Sequence, residues 1–591
     1  MVDKRDSNYT AIIDQDNVTD EIKDIAVKYD PLNRSGKEGF HVTDDGELHI
    51  DEHKVMREHR IIQNKIPNDS IEIVELPSAS GTEIHKYGKN GFRLFELPIP
   101  ENGQIVGLLG RNGIGKSTIL RILAGELEPN MGNPTTTPSF EKLLENYSNT
   151  RLESHITELV NDNAKVVYKP QMVSESLMQD DVTVREFLSS RDQKVSSISE
   201  ELSLDSIIDS KMSSLSGGER QRVYIAGTLL TDADTYLIDE PSSFLDIGQR
   251  FKVSELIKDY IRDRDSKCIV VEHDLAVLDM ISDHIHVIYG EPSNFGVTSK
   301  RMTSKQGIND YVTGRLSRDD IQIRSYKIEF RDSVEGKDSV LGSPRFEYPS
   351  FTKSFENFTL ETQSGKIHDN EVVGIVGENA LGKSTFAKVL SGELEPNNTE
   401  LNLDISFSYK PQYPESSSSN TVDGVLSKVT NIYDGQFQNH VYNPLDIDPI
   451  SDSRIKDLSG GEIQRVSIAV CLAREADVYL LDEPSAYLDV ETRSNVATSL
   501  RRYARNSSKP VMVIDHDLFV IDRIADNIIR FDGEPSKNGT ANSPVNVEDG
   551  MNKFLSDMDT TFRRDGDTNR PRSNKKGSQM DREQKRNNNY Y

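Results

Sequence analysis

The chain has only two cysteines in 591 residues, no apolar run near the roughly 20 residues of a membrane-spanning helix, and too few basic residues to balance its acids. Two thiols exclude a disulfide framework and every cluster or zinc site that needs four thiolates. Cys268 enters the strand-like run Cys268-Ile269-Val270-Val271 and Cys471 lies in Ile468-Ala469-Val470-Cys471-Leu472, so both read as small buried core residues. The opening Met1-Val2-Asp3-Lys4-Arg5-Asp6 lacks the apolar segment of a secretory signal, so a cytoplasmic protein with no membrane partner is expected. With 70 Lys+Arg against 97 Asp+Glu the net charge is -27 and the pI near 5.0. Such a surface repels nucleic acid as a whole. RNA contact would need local basic patches, or salt that shortens the Debye length to roughly 3 Å at 1 M.

What is present is a very polar globular composition, with 35% hydrophobic and 28% charged residues and a mean hydropathy of -0.58, and an internal repeat. Gly110-Arg111-Asn112-Gly113-Ile114-Gly115-Lys116-Ser117 and Gly377-Glu378-Asn379-Ala380-Leu381-Gly382-Lys383-Ser384 both fit G-x-x-x-x-G-K-S/T. Each follows an apolar strand (105–109, 372–376) and opens a helix-like segment with Thr118 or Thr385. Leu215-Ser216-Gly217-Gly218-Glu219 recurs as Leu458-Ser459-Gly460-Gly461-Glu462, and Tyr236-Leu237-Ile238-Asp239-Glu240-Pro241 as Tyr479-Leu480-Leu481-Asp482-Glu483-Pro484. Both copies place 23 positions between that serine and that aspartate, and 34 more to His273 or His516. Lys116 to Gln171 spans 55 positions but Lys383 to Gln412 only 29, so the first copy carries 26 extra residues, which read as a helix-loop-helix insertion around 133–165.

Each motif has a chemistry. Backbone N–H groups of a glycine-rich turn and the positive helix terminus surround phosphates, Lys116 or Lys383 reaches the β/γ oxygens, and Ser117 or Ser384 ligates Mg²⁺. Asp239 and Asp482 end apolar strands, where a carboxylate holds the magnesium shell; Glu240 and Glu483 follow at the place of a base that polarises water. His273 and His516 fit a contact to the γ-phosphate. Ser216-Gly217-Gly218 and Ser459-Gly460-Gly461 open a second anion-binding terminus, which a phosphate site already furnished with donors accepts only from the other copy. Aromatic residues upstream of each glycine loop are candidates to stack on adenine: Tyr87 or Phe92, and Tyr348 or Phe351, with a core role as the alternative for each.

These elements, twice and in order, resemble the nucleotide-binding domains of ABC proteins. The resemblance implies ATP held head to tail between the copies, with Gln171 and Gln412 joining Ser117, Asp239, Ser384 and Asp482 around Mg²⁺, and it favours Tyr87 and Tyr348 as adenine platforms. Outside the shared motifs, His85-Lys86-Tyr87-Gly88, Leu97-Pro98-Ile99-Pro100, Tyr168-Lys169-Pro170-Gln171 with Tyr409-Lys410-Pro411-Gln412, Tyr289-Gly290-Glu291-Pro292, Phe562-Arg563-Arg564-Asp565, Arg570-Pro571-Arg572 and Asp581-Arg582-Glu583-Gln584 resemble the RNase L inhibitor family, subfamily E of the ABC proteins. That family's ribosome-recycling ATPases imply an α/β fold of two tandem cassettes (77–290 and 343–535), a connector (291–342), a C-terminal hinge segment and basic tail (536–591), and a small ferredoxin-like α+β domain in front (1–76).

The family's ferredoxin-like domain holds two [4Fe-4S] clusters on eight cysteines. Here the corresponding positions fall near Asn17, Ile22, Ala26, Asp30, Met56, His59, Ile62 and Ile66. None is cysteine, so the domain is expected to be cluster-free, with ATP and Mg²⁺ as the only cofactors. The resemblance implies the ribosomal small subunit, rRNA and protein, and a release factor as partners, and a monomer whose cassettes pair within one chain. The rivals are the ATPase component of a membrane transporter and a ribosome-associated regulatory ATPase without splitting activity. The tail from Arg563, with nine Lys/Arg against four Asp/Glu, reads either as a brace between cassettes or as an RNA contact, and its last residues read as mobile.

Overall fold

The computed structural model describes residues 9–68, 70–76, 81–161, 163–171, 182–189, 195–330, 342–401, 403–412 and 417–591. The expectations placed on Met1 to Asp6, on the start of the first cassette at 77 and on 331–341 of the connector lie outside the described residues.

Two nine-stranded sheets share one strand order. In each, the apolar strand before the glycine loop (Ile105–Leu109, Val372–Val376) is central and wholly buried, paired in parallel with Lys267–Val271 or Val511–Ile514 on one side and His284–Glu291 or Asn527–Glu534 on the other. Burial on both faces is why these strands read as continuous apolar runs without alternation. Register aligns Asp239 with Val271 and Asp482 with Ile514. The glycine loops, the Asp-Glu pairs and the histidines two residues beyond Val271 and Ile514 therefore all emerge from the carboxyl ends of neighbouring strands, where open α/β sheets bind ligands. The sheets run past 290 and 535: Phe295–Thr298 and Asn538–Ala541 fold back antiparallel on His284–Glu291 and Asn527–Glu534, so Tyr289-Gly290-Glu291 is sheet and not linker. In the first cassette, helices Phe140–Tyr147 and Glu153–Val160 occupy the extra residues; Leu143, Tyr147, Leu152 and Ile156 pack into the cassette core, and the Tyr147 hydroxyl donates to Glu96 Oε2 at 2.8 Å.

In the N-terminal module, Tyr9–Ile13 pairs antiparallel with Ile71–Glu75, and helix Asp20–Tyr29, capped by Thr19, packs beneath. The helix-like stretch 52–64 breaks into turns at Glu52–Lys54 and Arg57–His59 before helix Arg60–Gln63, because Asp51 caps one turn and Val55 and Met56 are extended. Ile22, Ala26, Ile62 and Ile66 join Phe40, Leu48, Ile50 and Val55 in one apolar core. Full burial of each isoleucine contributes about 1.5–3 kcal/mol relative to exposure. Asp30 and His59 face each other inside it, Nε2 to Oδ1 at 3.3 Å, both with no exposed side-chain surface. Burial raises the Asp30 pKa, but the adjacent His59 ring and hydrogen bonds from the Phe40 and Leu32 amides outweigh it and leave it lowered. Of the eight positions four are aliphatic, Asp30 and His59 form a carboxylate–imidazole pair, Asn17 offers an amide and Met56 only a thioether; none is a thiolate, and the residues present do not fit an iron–sulfur cluster.

The C-terminal segment braces the molecule. Hairpin Phe562–Arg564 with Pro571–Ser573 carries four arginines inward. Arg570, 1% exposed, and Arg572 both bind Asp279 of the first cassette at 3.2 and 2.7 Å, while Arg564 grips Asp522 of the second in a bidentate pair at 2.7 and 2.6 Å. Arg563 donates to Asn574 at 2.7 Å. The chain end is tied rather than mobile: the Phe562 amide donates to Tyr590 O at 2.7 Å, and the Tyr591 hydroxyl meets Asp522 and Arg564.

Candidate functional site: two composite clefts

Two clefts lie between the cassettes. The first, of about 1220 Å³, is lined on one side by Tyr87, Asn112, Gly113, Gly115, Lys116, Ser117, Thr118, Gln171, Asp239, Glu240 and His273, and on the other by Ser459, Gly460 and Gly461. The second, of about 630 Å³, brings Asn379, Gly382, Lys383, Ser384, Thr385, Gln412, Asp482 and Glu483 opposite Ser216, Gly217 and Gly218. Each glycine loop faces the other copy's serine-glycine terminus, as the motif logic required.

Local chemistry explains each placement. Gly115 and Gly382 open the helices Lys116–Leu123 and Lys383–Leu390 at φ +95° and +93°, and a Cβ at either would meet the ring of Phe92 or Phe358 within 3 Å, so only glycine serves. The lysines turn back onto their loops: Lys116 Nζ donates to Gly110 O and Arg111 O at 3.0 and 2.7 Å, and Lys383 Nζ to Gly377 O and Glu378 O at 2.8 and 2.6 Å. Burial pushes both ammonium pKa values down, that of Lys383 to about 8, against nearby carboxylates. Ser216 and Ser459 cap helices Gly217–Leu230 and Gly460–Ala473 in reciprocal boxes with Glu219 and Glu462.

The candidate metal residues converge. Ser117 Oγ donates to Asp239 at 3.1 Å and Ser384 Oγ to Asp482 at 2.6 Å, while Gln171 and Gln412 each donate to the adjoining glutamate, Glu240 or Glu483, at 2.8 Å. A few hard oxygen donors beside a phosphate site suit Mg²⁺, which keeps part of its shell from substrate and water. Burial, then the neighbouring Glu240, pushes Asp239 up to about 6; burial, then Asp482 and Asp515, pushes Glu483 up to about 7. His273 Nε2 lies 3.5 Å from Glu240 and His516 Nε2 3.6 Å from Glu483. Burial drives both imidazoles well below their ordinary pKa, helped by the cognate lysine and by Arg493 or Arg250 of the opposite cassette, so both rings are neutral.

One expectation is corrected. Tyr348 lies in strand Pro344–Tyr348, 1% exposed, its ring edge-on to Phe386 under the glycine-loop helix, and Phe351 stacks on the same ring. Both face the core. The second cleft is lined instead by Phe358, the counterpart of Phe92, and the turn position of Tyr87 is taken by the exposed Phe355. Tyr87 itself is 39% exposed, with its hydroxyl 3.3 Å from Thr118 Oγ1.

The structure adds residues that motif reading missed. Asp489, capping helix Val490–Ser507, accepts from the Asn112 amide at 2.8 Å across the interface, and Asp246, capping Ile247–Asp263, accepts from the Asn379 amide at 3.1 Å. Asn112 Nδ2 also donates to Tyr487 O and Asn379 Nδ2 to Phe244 O, at 3.1 and 3.4 Å. Their signal was in the sequence: Phe244-Leu245-Asp246 and Tyr487-Leu488-Asp489 repeat, each ending seven residues after Asp239 or Asp482. Glu491 faces both Arg111, at 3.7 Å, and the connector's Arg324, at 2.6 Å.

Comparison with known proteins agrees. The ABC transporter family model matches residues 99–243 and 360–486. An ATP-binding protein of Methanocaldococcus jannaschii, described as an uncharacterized ABC transporter component, is 43% identical over 90% of this chain and 88% of its own. Translation initiation factor RLI1 of Saccharomyces cerevisiae is 37% identical over 90% of this chain and 89% of its own. Among solved structures, ABCE1 in a model of ribosome-bound archaeal Pelota and ABCE1 superposes with a TM-score of 0.93 at 40% identity, covering 99% of both chains. The archaeal ribosome recycling factor aABCE1, crystallised with the ribosomal stalk protein aP1, gives 0.82 at 40% identity over 87% of this chain and 100% of that one. The chain belongs to the RNase L inhibitor family, subfamily E of the ABC proteins, and is a twin-cassette ATP hydrolase.

Proposed function

We propose that this ATPase works in ribosome recycling and translation initiation, closing its cassettes on two ATP molecules and thereby moving the N-terminal module against the small ribosomal subunit in the cytoplasm. The observation that carries the reading is the match to ribosome-bound ABCE1 over 99% of the chain, N-terminal module included. The module is fastened to the first cassette beside its cleft: Asn90, in the turn after Tyr87, donates to Ala11 O at 3.1 Å and accepts from the Ile13 amide at 2.9 Å, and Glu52 pairs with the buried Lys86 and Arg93. Movement at the cleft is therefore passed to the module.

ATP contacts both cassettes only when they are closed, so binding favours closure by its differential affinity, and hydrolysis removes it. In this reading Lys116, Asn112 and the loop amides with Ser459 and Gly461 hold phosphate at site one; Lys383, Asn379 and their loop with Ser216 and Gly218 do so at site two. Mg²⁺ when bound neutralises charge on the β and γ oxygens. Glu240 and Glu483 polarise water, Gln171 and Gln412 orient those carboxylates, and the neutral His273 and His516 donate a hydrogen bond toward the γ-phosphate. The N-terminal module works without iron, and a release factor is its partner on the subunit. The test is incubation of 70S particles with the protein, a release factor and ATP, followed by sucrose-gradient separation. Conversion to 30S and 50S supports the reading; an unchanged 70S peak with full ATPase activity contradicts it.

A further inference from the structure

The two glutamates read as water-polarising groups sit on an unusual backbone. Glu240 has φ +47° and Glu483 φ +46°, the left-handed region, which costs a non-glycine residue on the order of 1–3 kcal/mol and persists only where the surroundings over-determine it. Each peptide plane around them is pinned. Glu240 N donates to Val271 O at 2.9 Å, and Glu240 O accepts from Gln221 Nε2 at 2.7 Å; Pro241 has no N–H, so that plane has no amide of its own to anchor it. The carbonyl on the other side, Asp239 O, accepts from Lys169 Nζ at 3.1 Å. The second cassette repeats every contact: Glu483 N to Ile514 O at 2.8 Å, Gln464 Nε2 to Glu483 O at 2.6 Å, Lys410 Nζ to Asp482 O at 2.9 Å.

Lys169 and Lys410 are 3% and 1% exposed; each also donates to the carbonyl of Pro170 or Pro411, at 3.3 and 3.0 Å, which precedes the cleft glutamine, and each stands among carboxylates, Asp239, Glu240 and Glu272 or Asp482, Glu483 and Asp515. A buried ammonium is costly unless its donors are used. Here they join the strand end that carries the Asp-Glu pair to the strand end that carries Gln171 or Gln412. From this duplicated geometry we propose that Lys169 and Lys410 are positioning residues of the hydrolytic step: each fixes the peptide before the strained glutamate, with Gln221 or Gln464 fixing the one after it, so that the carboxylate is aimed at the attacking water.

The proposal rests on the assignment of Glu240 and Glu483, and the experiment separates the two. In the full-length protein, Lys169→Met/Lys410→Met keeps side-chain volume and the phosphate cradle but frees the carbonyls. A displacement of about 1 Å costs up to about 10²-fold, so kcat should fall about 10- to 100-fold while KM for ATP and binding of a fluorescent ATP analogue stay within about twofold, the pattern of a group needed only in the transition state. Gln221→Ala/Gln464→Ala, which removes the other pin without touching a buried charge, should show the same split and serves if the lysine variant does not fold. Wild-type kcat in both variants, or loss of kcat and nucleotide binding together, overturns the positioning role. Glu240→Gln/Glu483→Gln is assayed beside them: full activity there overturns the glutamate assignment itself.

Discussion

At the scale of single residues, the proposed mechanism places the polarisation of water on Glu240 and Glu483. Replacement by glutamine leaves the loop amides, Lys116 and Lys383 in place and removes the charge that polarises water, so Glu240→Gln/Glu483→Gln should keep ATP binding and lose roughly 10²- to 10⁴-fold in turnover, measured by phosphate release. Much of the arrangement of the clefts was legible in the sequence because glycine loops, Asp-Glu strand ends and serine-glycine helix starts are local patterns with fixed spacing. Tyr348 was not, because an aromatic residue upstream of a strand carries no local mark of which way it faces. It belongs to a strand that Gly365–His368 covers, and Phe358 faces the cleft instead. Lys169 and Lys410 stood in plain view within the Tyr-Lys-Pro-Gln repeat, yet their partners are backbone carbonyls about 70 residues away, which no motif displays.

At the scale of elements, the C-terminal hairpin ties Asp279 of one cassette and Asp522 of the other through Arg570, Arg572 and Arg564, which supports our reading of it as a brace between cassettes. Arg570→Ala leaves Asp279 its pair with Arg572 and removes a buried charge-assisted hydrogen bond, a loss of about 1.5–3 kcal/mol; a thermal melt should show it, without any change in a salt series of RNA binding. Asp565 accepts from Arg572 at 3.1 Å and from Asn309 at 2.9 Å. Burial raises its pKa, but the Asp567 amide, Asn309, Arg570 and Arg572 outweigh that and bring it down to about 2. A depressed carboxylate stabilises the fold above its unfolded pKa of about 4 and loses that contribution as pH falls toward 2. Urea denaturation across that window should be less pH-dependent in Asp565→Asn than in wild type. The insertion helices were readable from their apolar spacing. The break-up of 52–64 was not, since Asp51 and Val55 divide a stretch whose composition alone favours one helix.

At the scale of the whole molecule, the repeat and its order were legible, and with them the pairing of two cassettes; the cross-interface bonds of Asn112 with Asp489 and Asn379 with Asp246 were not, because they join residues more than a hundred positions apart. The N-terminal module keeps its place on the first cassette with an apolar core and the Asp30–His59 pair at the family's cluster positions. Protein purified anaerobically should be colourless and hold no stoichiometric iron, and a chelator should leave its melting temperature unchanged; about four or more iron atoms per chain with visible cluster absorption would contradict this. The central claim is that ATP-driven closure of the composite clefts is coupled to a ribosomal subunit. It is tested most directly by cosedimenting Glu240→Gln/Glu483→Gln with purified small subunits, with and without ATP, at low and high salt. The account predicts subunit binding that appears with ATP and is absent without it; a folded, ATP-binding variant that fails to bind the small subunit under every condition would contradict it.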